Sequence, residues 1–226
     1  MTDNLQYLKN IPLFSVLNNE QLKEMNCRVI EREYKKGRII FMEGEPGEAI
    51  YFLKEGLIKL SKQTMDGREH ILHLVHPGDV FAEVVIFDSG SYPATAEVVE
   101  DASVGLIRNK DMCTVISNHA DVTLSMLKIM ARRLRDAQEK VMNLALNDTA
   151  RRLALVILGL AEERGVTEAN GIVIPVQLTN QELANLIGTS RETVSRIINS
   201  FKRSGTLEIE RQQIVLYKKE KLRELL

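Results

Sequence analysis

The rhythm of hydrophobic and polar positions changes repeatedly along this chain, and each change predicts a new kind of element. From Asn4 to Asn26, Leu5, Leu8, Ile11, Leu13, Leu17 and Leu22 recur at near-helical intervals, predicting a short helical region. From Val29 to about Arg108 the texture turns to short runs of Ile, Val, Leu and Phe. Gly37, Gly44, Gly47, Gly56, Gly67 and Gly78 punctuate these runs. Regularly spaced short strands with turn signals predict an all-β barrel or sandwich. Asp66-Gly67 is a tight hairpin candidate and Pro77-Gly78-Asp79 a second turn.

From about Asp111 to Ala145 the period becomes helical. Leu127, Leu134 and Val141 repeat every seven residues, and Met130, Ala137 and Leu144 each fall three later, an a/d seam. Such a seam could also pack on its own domain. Here the helix has to leave the β region and reach a separate C-terminal domain, so pairing with its twin in a symmetric homodimer is the better account. Asn147-Asp148-Thr149 reads as a hinge, with Asp148 capping a helix from Thr149 to Arg164 whose stripe is Leu153, Val156, Ile157 and Leu160. Ala169-Asn170-Gly171 is a turn, and Ile172-Val173-Ile174-Pro175-Val176 an edge-type strand carrying its proline.

Between Leu178 and Ile198 the pattern predicts two short helices and a turn. Thr179 with Glu182 three residues on is a capping-box pattern, and Leu183, Leu186 and Ile187 form a buried stripe. Gly188 supplies the positive φ of a sharp turn. Ser190 caps a second helix with Val194, Ile197, Ile198 and Phe201 inward, leaving Arg191, Glu192, Ser195 and Arg196 outward near its N-terminal end. A recognition helix of a helix-turn-helix meets base edges with that end. An ordinary helical hairpin with a solvated charged face is the bland alternative. Leu207–Glu210 and Ile214–Tyr217 follow as a hairpin, the wing.

Total charge adds little: 30 Lys and Arg stand against 31 Asp and Glu. Local charge adds more, because Gly188 to Gly205 holds Arg191, Arg196, Lys202 and Arg203 against Glu192 alone. Cys27 and Cys113 are the only cysteines, in no metal-ligand spacing, and read as two buried reduced thiols. The N-terminus lacks the basic and apolar regions of a signal peptide, and no run approaches the ~20 apolar residues of a membrane span. The expectation is a cytoplasmic protein with no membrane partner. Neither a phosphate-cradling glycine loop nor a zinc-protease helix occurs, so no catalytic residue and no metal site is expected.

The order Gly188-x-Ser190-Arg191-Glu192-Thr193-Val194-x-Arg196 resembles the DNA-reading segment of the cyclic AMP receptor protein/FNR family of bacterial regulators. Gly47 to Leu53 and Pro77-Gly78-Asp79-x-Phe81 are similar to its cyclic-nucleotide-binding β-roll, so the resemblance spans nearly the whole chain. It implies an α+β protein: an effector-sensing β-roll (jelly roll) in 1–110, a dimerisation helix in 111–146 and a winged helix-turn-helix in 147–226. Arg191, Glu192 and Arg196 align with base-reading positions of the cyclic AMP receptor branch, whereas Ser195 matches the FNR branch. The implied target is double-stranded DNA with inverted TGTGA-like half-sites, read by a homodimer that also meets RNA polymerase, in an activator role. Thr179, Thr189, Ser190 and Thr193 are expected to clamp phosphates or cap helices, and Lys202 to contact phosphate. An ion pair from Arg196 to Glu192 is compatible with base reading.

The implied effector pocket comprises Ala82, Glu83, Val84, Ala94, Thr95, Ala137 and Gln138. It departs from the cyclic AMP pattern. Glu83, the ribose ligand, is kept, but the phosphate arginine falls at Pro93, its following serine at Ala94, the cassette glycine at Ala82 and the adenine-reaching pair at Ala137-Gln138. A buried phosphate without a cation is strongly disfavoured, so an unknown small molecule other than cyclic AMP is expected. Glu83 would then support the loop from Phe87 to Tyr92. The cassette wording is closer to the FNR and DNR branches. The cofactor is left unknown; haem on His70, His73 or His76 is the lesser reading, with residues 70 and 76 expected on one strand face and 73 on the other. A ligand-binding module without DNA function is the alternative from another class, disfavoured by the intact reading face.

Overall fold

The computed structural model describes residues 7–88, 90–210 and 213–226, with the backbone alone at Glu210. The chain divides into two compact units, Met1–Arg135 and Asp136–Leu226.

In the first unit, Asn18 caps helix α1 (Asn19–Asn26) through a capping box with Gln21. The sequence predicts one helical region from Asn4 to Asn26. The structure instead has a helical turn at 7–10, a turn region at 11–17 and then α1. Pro12 and the Asn18 cap explain the break, because proline lacks an N–H and a capping residue leaves helical φ/ψ. Asn4 and Leu5 lie outside the described residues. Strands β1 (Ile30–Tyr34), β2 (Ile39–Phe41), β3 (Ala49–Gln63), β4 (Glu69–Val75), β5 (Val80–Phe81) and β6 (Thr95–Arg108) form one antiparallel sheet. Its order is β1-β6-β3-β4, with β2 on β6 and β5 on β3. The predicted turns fall at Gly67 and Gly78, with φ of 80° and 94°.

The β3–β6 pairing shifts register between Leu53 and Ile58, and these bulges let two long strands bend. Gly56 sits there at φ +95, where a Cβ would lie 2.3 Å from the Asp101 carbonyl oxygen. One apolar cluster joins Leu8, Phe14, Leu22, Phe52, Ile107, Met112 and Met126; the other fills the roll with Phe41, Tyr51, Phe81 and Tyr92. Helix α2 (Val84–Asp88) follows β5.

The helical stretch expected from Asp111 is two helices, α3 (Asn109–Asn118) and α4 (Ala120–Leu146), broken at His119, whose backbone is extended. No described helix is long and apolar enough to cross a membrane. Cys27 and Cys113 are free and exposed, which corrects the expectation of buried thiols. Cys27 ends α1 and Cys113 lies on α3, and both helices turn these positions outward.

In the second unit, Asp148 caps α5 (Thr149–Arg164) by accepting from the Arg151 N–H. Its buried stripe is Leu153, Ala154, Ile157, Leu158, Leu160 and Ala161, with Val156 only half-buried. Strands β7 (Val166–Glu168), β8 (Gly171–Ile174), β9 (Leu207–Glu210) and β10 (Gln213–Leu216) form a sheet in the order β7-β8-β10-β9. The edge-strand expectation for 172–176 is corrected. The strand ends at Ile174, before Pro175, and is an inner strand because β7 covers its other side. Helices α6 (Asn180–Ile187), α7 (Arg191–Arg203) and α8 (Lys219–Arg223) complete the unit. The wing is β9 and β10, and its tip at 211–212 lies outside the described residues.

Candidate nucleic-acid interface and sensor site

Thr179 caps α6 through a reciprocal box. The Glu182 N–H donates to Thr179 Oγ1 at 3.1 Å, and the Thr179 N–H to Glu182 Oε2 at 2.7 Å. Gly188 ends the helix at φ 65, ψ 54, the left-handed region that an L side chain resists. Ser190 then caps α7, accepting from the Thr193 N–H at 3.2 Å, while its hydroxyl meets that of Thr193. Thr179, Ser190 and Thr193 thus act as caps or cap partners, and half-buried Thr189 gives its N–H to the Ala184 carbonyl.

The caps aim α7. Val194, Ile198 and Phe201 are buried, so helical geometry turns Arg191, Glu192 and Arg196 to the exposed face, with Ser195 half-buried among them. Together with Asn199, Lys202 and Arg203 they line an open concavity of about 750 Å³. Asn199 and Arg203 were not singled out as contacts in the sequence, although both follow from continuing the helical period past Arg196. Glu192 accepts from its own N–H and from Ser190, and with Arg191 nearby these hold its carboxyl below the usual range; it is an ionised acceptor. No ion pair between Glu192 and Arg196 forms among the described residues. Lys202 instead pairs with Glu208 of β9 at 2.7 Å, joining the helix to the wing. The positive end of the α7 dipole and its basic side chains suit phosphate, while the Arg forks and the carboxylate suit base edges.

In the roll, Ala82 and Glu83 are buried and Val84 opens α2. Ala82 has φ 60, the single positive-φ residue other than glycine among the described residues, at the position where the resembling cassette has glycine. Glu83, 1% exposed, does not support the loop from Phe87 to Tyr92 as expected. Its carboxylate pairs with Arg133 of α4, whose other nitrogen donates to the Val80 carbonyl. Glu83 Oε2 has no hydrogen-bond partner among the described residues. The loop is held from elsewhere: the Tyr92 N–H donates to the Glu45 carbonyl at 2.9 Å, and the Glu48 N–H to the Tyr92 hydroxyl at 3.1 Å. Ala94 is buried, and Thr95 Oγ1 accepts from the Glu43 N–H. Pro93 is exposed; Ala137 and Gln138 are exposed in the second unit.

His70 pairs with Lys62 and His73 with Leu60, but β4 has a bulge at Leu72, and His76 lies past the strand in the turn. The simple alternation expected for the three is therefore lost.

On α4, Leu127, Leu134 and Val141 are 54%, 62% and 68% exposed, and Leu144 and Ala137 are also exposed. Met130 is half-buried against the core of its own unit.

Residues 31–119 match the cyclic nucleotide-binding domain, and residues 151–225 the Crp-like helix-turn-helix domain. The chain is 30% identical over 190 residues to a CRP-like cAMP-activated global transcriptional regulator of Mycobacterium tuberculosis, covering 84% of this chain and 85% of that one. It is 31% identical over 202 residues to the cyclic AMP receptor protein of Thermus thermophilus, covering 89% and 90%. Among solved structures, FixK2 from Bradyrhizobium japonicum superposes with a TM-score of 0.79 at 26% identity, covering 87% of this chain and 96% of that one.

Proposed function

The chain belongs to the Crp/Fnr family of DNA-binding transcription regulators, and from that premise we propose that it is a homodimeric activator reading inverted TGTGA-like half-sites under control of a small molecule other than cyclic AMP. One observation carries the DNA reading: Arg191, Glu192, Ser195 and Arg196 share the open face of α7 behind a left-handed Gly188 turn. Arg191 and Arg196 reach guanine O6 and N7, and Glu192 accepts from cytosine N4. Asn199 and Arg203 extend the face toward phosphates. The exposed Leu127, Leu134 and Val141 supply the seam for a twin helix. Dimer symmetry then sets two recognition helices about one helical turn, ~34–36 Å, apart. Contact with RNA polymerase completes the activator role.

Glu83 supports the effector reading. In this chain its carboxylate is already paired with Arg133, and the phosphate position is Pro93. The test is gel-shift titration on a palindromic TGTGA operator and on random DNA. Arg191→Ala should lose ~1–3 kcal/mol on the operator and relax its preference at one guanine. Equal loss on both DNAs would remove Arg191 as a base reader.

A further inference from the structure

A second concavity opens on the β-roll, lined in part by residues of the cluster that fills it. It has a volume of about 770 Å³, and none of the residues expected to hold an effector lines it. Its floor follows from strand register. Ile30 pairs with Leu106, Leu106 with Tyr51, and Tyr51 with Phe81, so one rung crosses β1, β6, β3 and β5. Directly paired residues point to the same face of a sheet, so Ile30, Leu106 and Tyr51 make a continuous apolar surface. Tyr92 closes one side, its ring stacked on Phe41 at 3.9 Å between centroids. Burial and then the Tyr92 hydroxyl hold the Tyr51 phenol far above its ordinary range, so the floor carries no charge.

The rim is charged. Arg32 lies two residues along β1 from Ile30, and Arg108 two along β6 from Leu106, so both share the floor's face. Lys110 stands in the first turn of α3, where the helix dipole adds positive potential. Arg108 and Lys110 form no ion pair among the described residues, and Arg32 bonds Tyr34, a neutral partner. Two acids also line the groove, Glu45 and Glu48. Glu45 is already engaged, its carboxylate accepting from the Met42 N–H at 2.9 Å. An apolar floor beneath a mainly cationic rim selects an amphipathic anion.

We propose that this groove binds a small organic acid with a planar apolar body, its carboxylate held by Arg108 and Lys110 and its body laid on Ile30, over the buried Tyr51, Leu106 and Tyr92. Tyr92 immediately precedes Pro93-Ala94-Thr95, so a ligand pressing on it acts on the cassette through the chain. That last step rests on the reading of the roll as a sensor; the binding itself does not.

Calorimetry of the full chain with 1-naphthoate, and with 1-naphthamide as its uncharged twin, tests the site. The acid should bind with a Kd below about 1 mM and the amide at least ~10-fold more weakly. The exposed pair Arg108→Gln and Lys110→Gln, combined, should bring the acid down to the level of the amide. Lys35→Gln, an exposed charge change outside the groove, should leave binding unchanged. Equal affinity for acid and amide, absence of saturation, or loss of binding in Lys35→Gln would each overturn the proposal. Operator titration with saturating naphthoate then separates the two readings. A shift in DNA affinity supports the sensory role, whereas binding with unshifted affinity keeps the site and overturns its coupling to DNA.

Discussion

At the scale of residues, the reading head was legible because its logic is local. Caps, the glycine turn and the helical period are all written within 25 residues of sequence, Leu178 to Lys202. The Glu83–Arg133 pair was not legible, because the partners stand 50 residues apart and only the fold joins them. Arg133→Met should therefore strand a buried carboxylate and cost about 3 kcal/mol in chemical unfolding, with Glu83→Gln in the same chain recovering most of it. Additive losses would mean the pair contributes no coupling. Ala82 gives a prediction of opposite sign. Held at φ 60, it stores about 1 kcal/mol of backbone strain that Ala82→Gly relieves. The greater freedom of the unfolded glycine offsets part of this, so a small rise in melting temperature is expected, and a fall would contradict the strain. Acid sensitivity is also settled residue by residue. Glu162 is held below its ordinary value near 4.5 by Lys219 and then Arg223, and Glu208 is held low by Lys202. A depressed folded pKa stabilises above the unfolded value and is lost as pH falls through the folded one. Melting of the winged unit should thus weaken below pH ~4.5, and Glu162→Gln should flatten that dependence.

At the scale of elements, periodicity located nearly every segment but not its interruptions. The seven-residue repeat of α4 begins only at Leu127, so nothing in it marks the break at His119, which Thr123 secures by giving its hydroxyl to the Ile116 carbonyl. Strand β7 was missed because three exposed residues show no alternation, and β8 read as an edge because Pro175 was counted within it, whereas the strand ends at Ile174. The seam residues are the reverse case. Their exposure is what an unpartnered repeat predicts, while Met130 shows that one position is shared with the chain's own core. Leu134, more than half exposed and away from that core, is the clean place to test pairing. Leu134→Glu should leave the melting of the monomer fold nearly unchanged yet give a monomer by analytical ultracentrifugation. Its operator affinity should fall by at least ~100-fold, because each half-site is then bound separately. A variant that stays dimeric would place the interface elsewhere.

At the scale of the whole molecule, near-neutral total charge hides a local asymmetry, because the basic face of α7 lies in the second of the two units. The relatives from M. tuberculosis and T. thermophilus are named for cyclic AMP, which makes the nucleotide the sharpest test of this chain. To bind it, the roll would have to bury a phosphate where Pro93 offers no charge and no N–H. Arg133 already occupies Glu83 Oε1 and leaves only Oε2 for a ribose hydroxyl. Arg133 cannot serve the phosphate in exchange without leaving a carboxylate 1% exposed and unpaired. Either arrangement leaves one buried charge uncompensated, a penalty of several kcal/mol that the remaining contacts of a small nucleotide do not recover. Calorimetry should accordingly show no cyclic AMP binding at micromolar concentrations, and operator affinity should be the same with and without it. If Glu83→Gln, which frees Arg133, gains measurable affinity for the nucleotide, the ion pair is the gate that excludes it. Micromolar binding to the unmodified chain, together with tighter operator binding, would instead return this protein to the nucleotide-controlled branch.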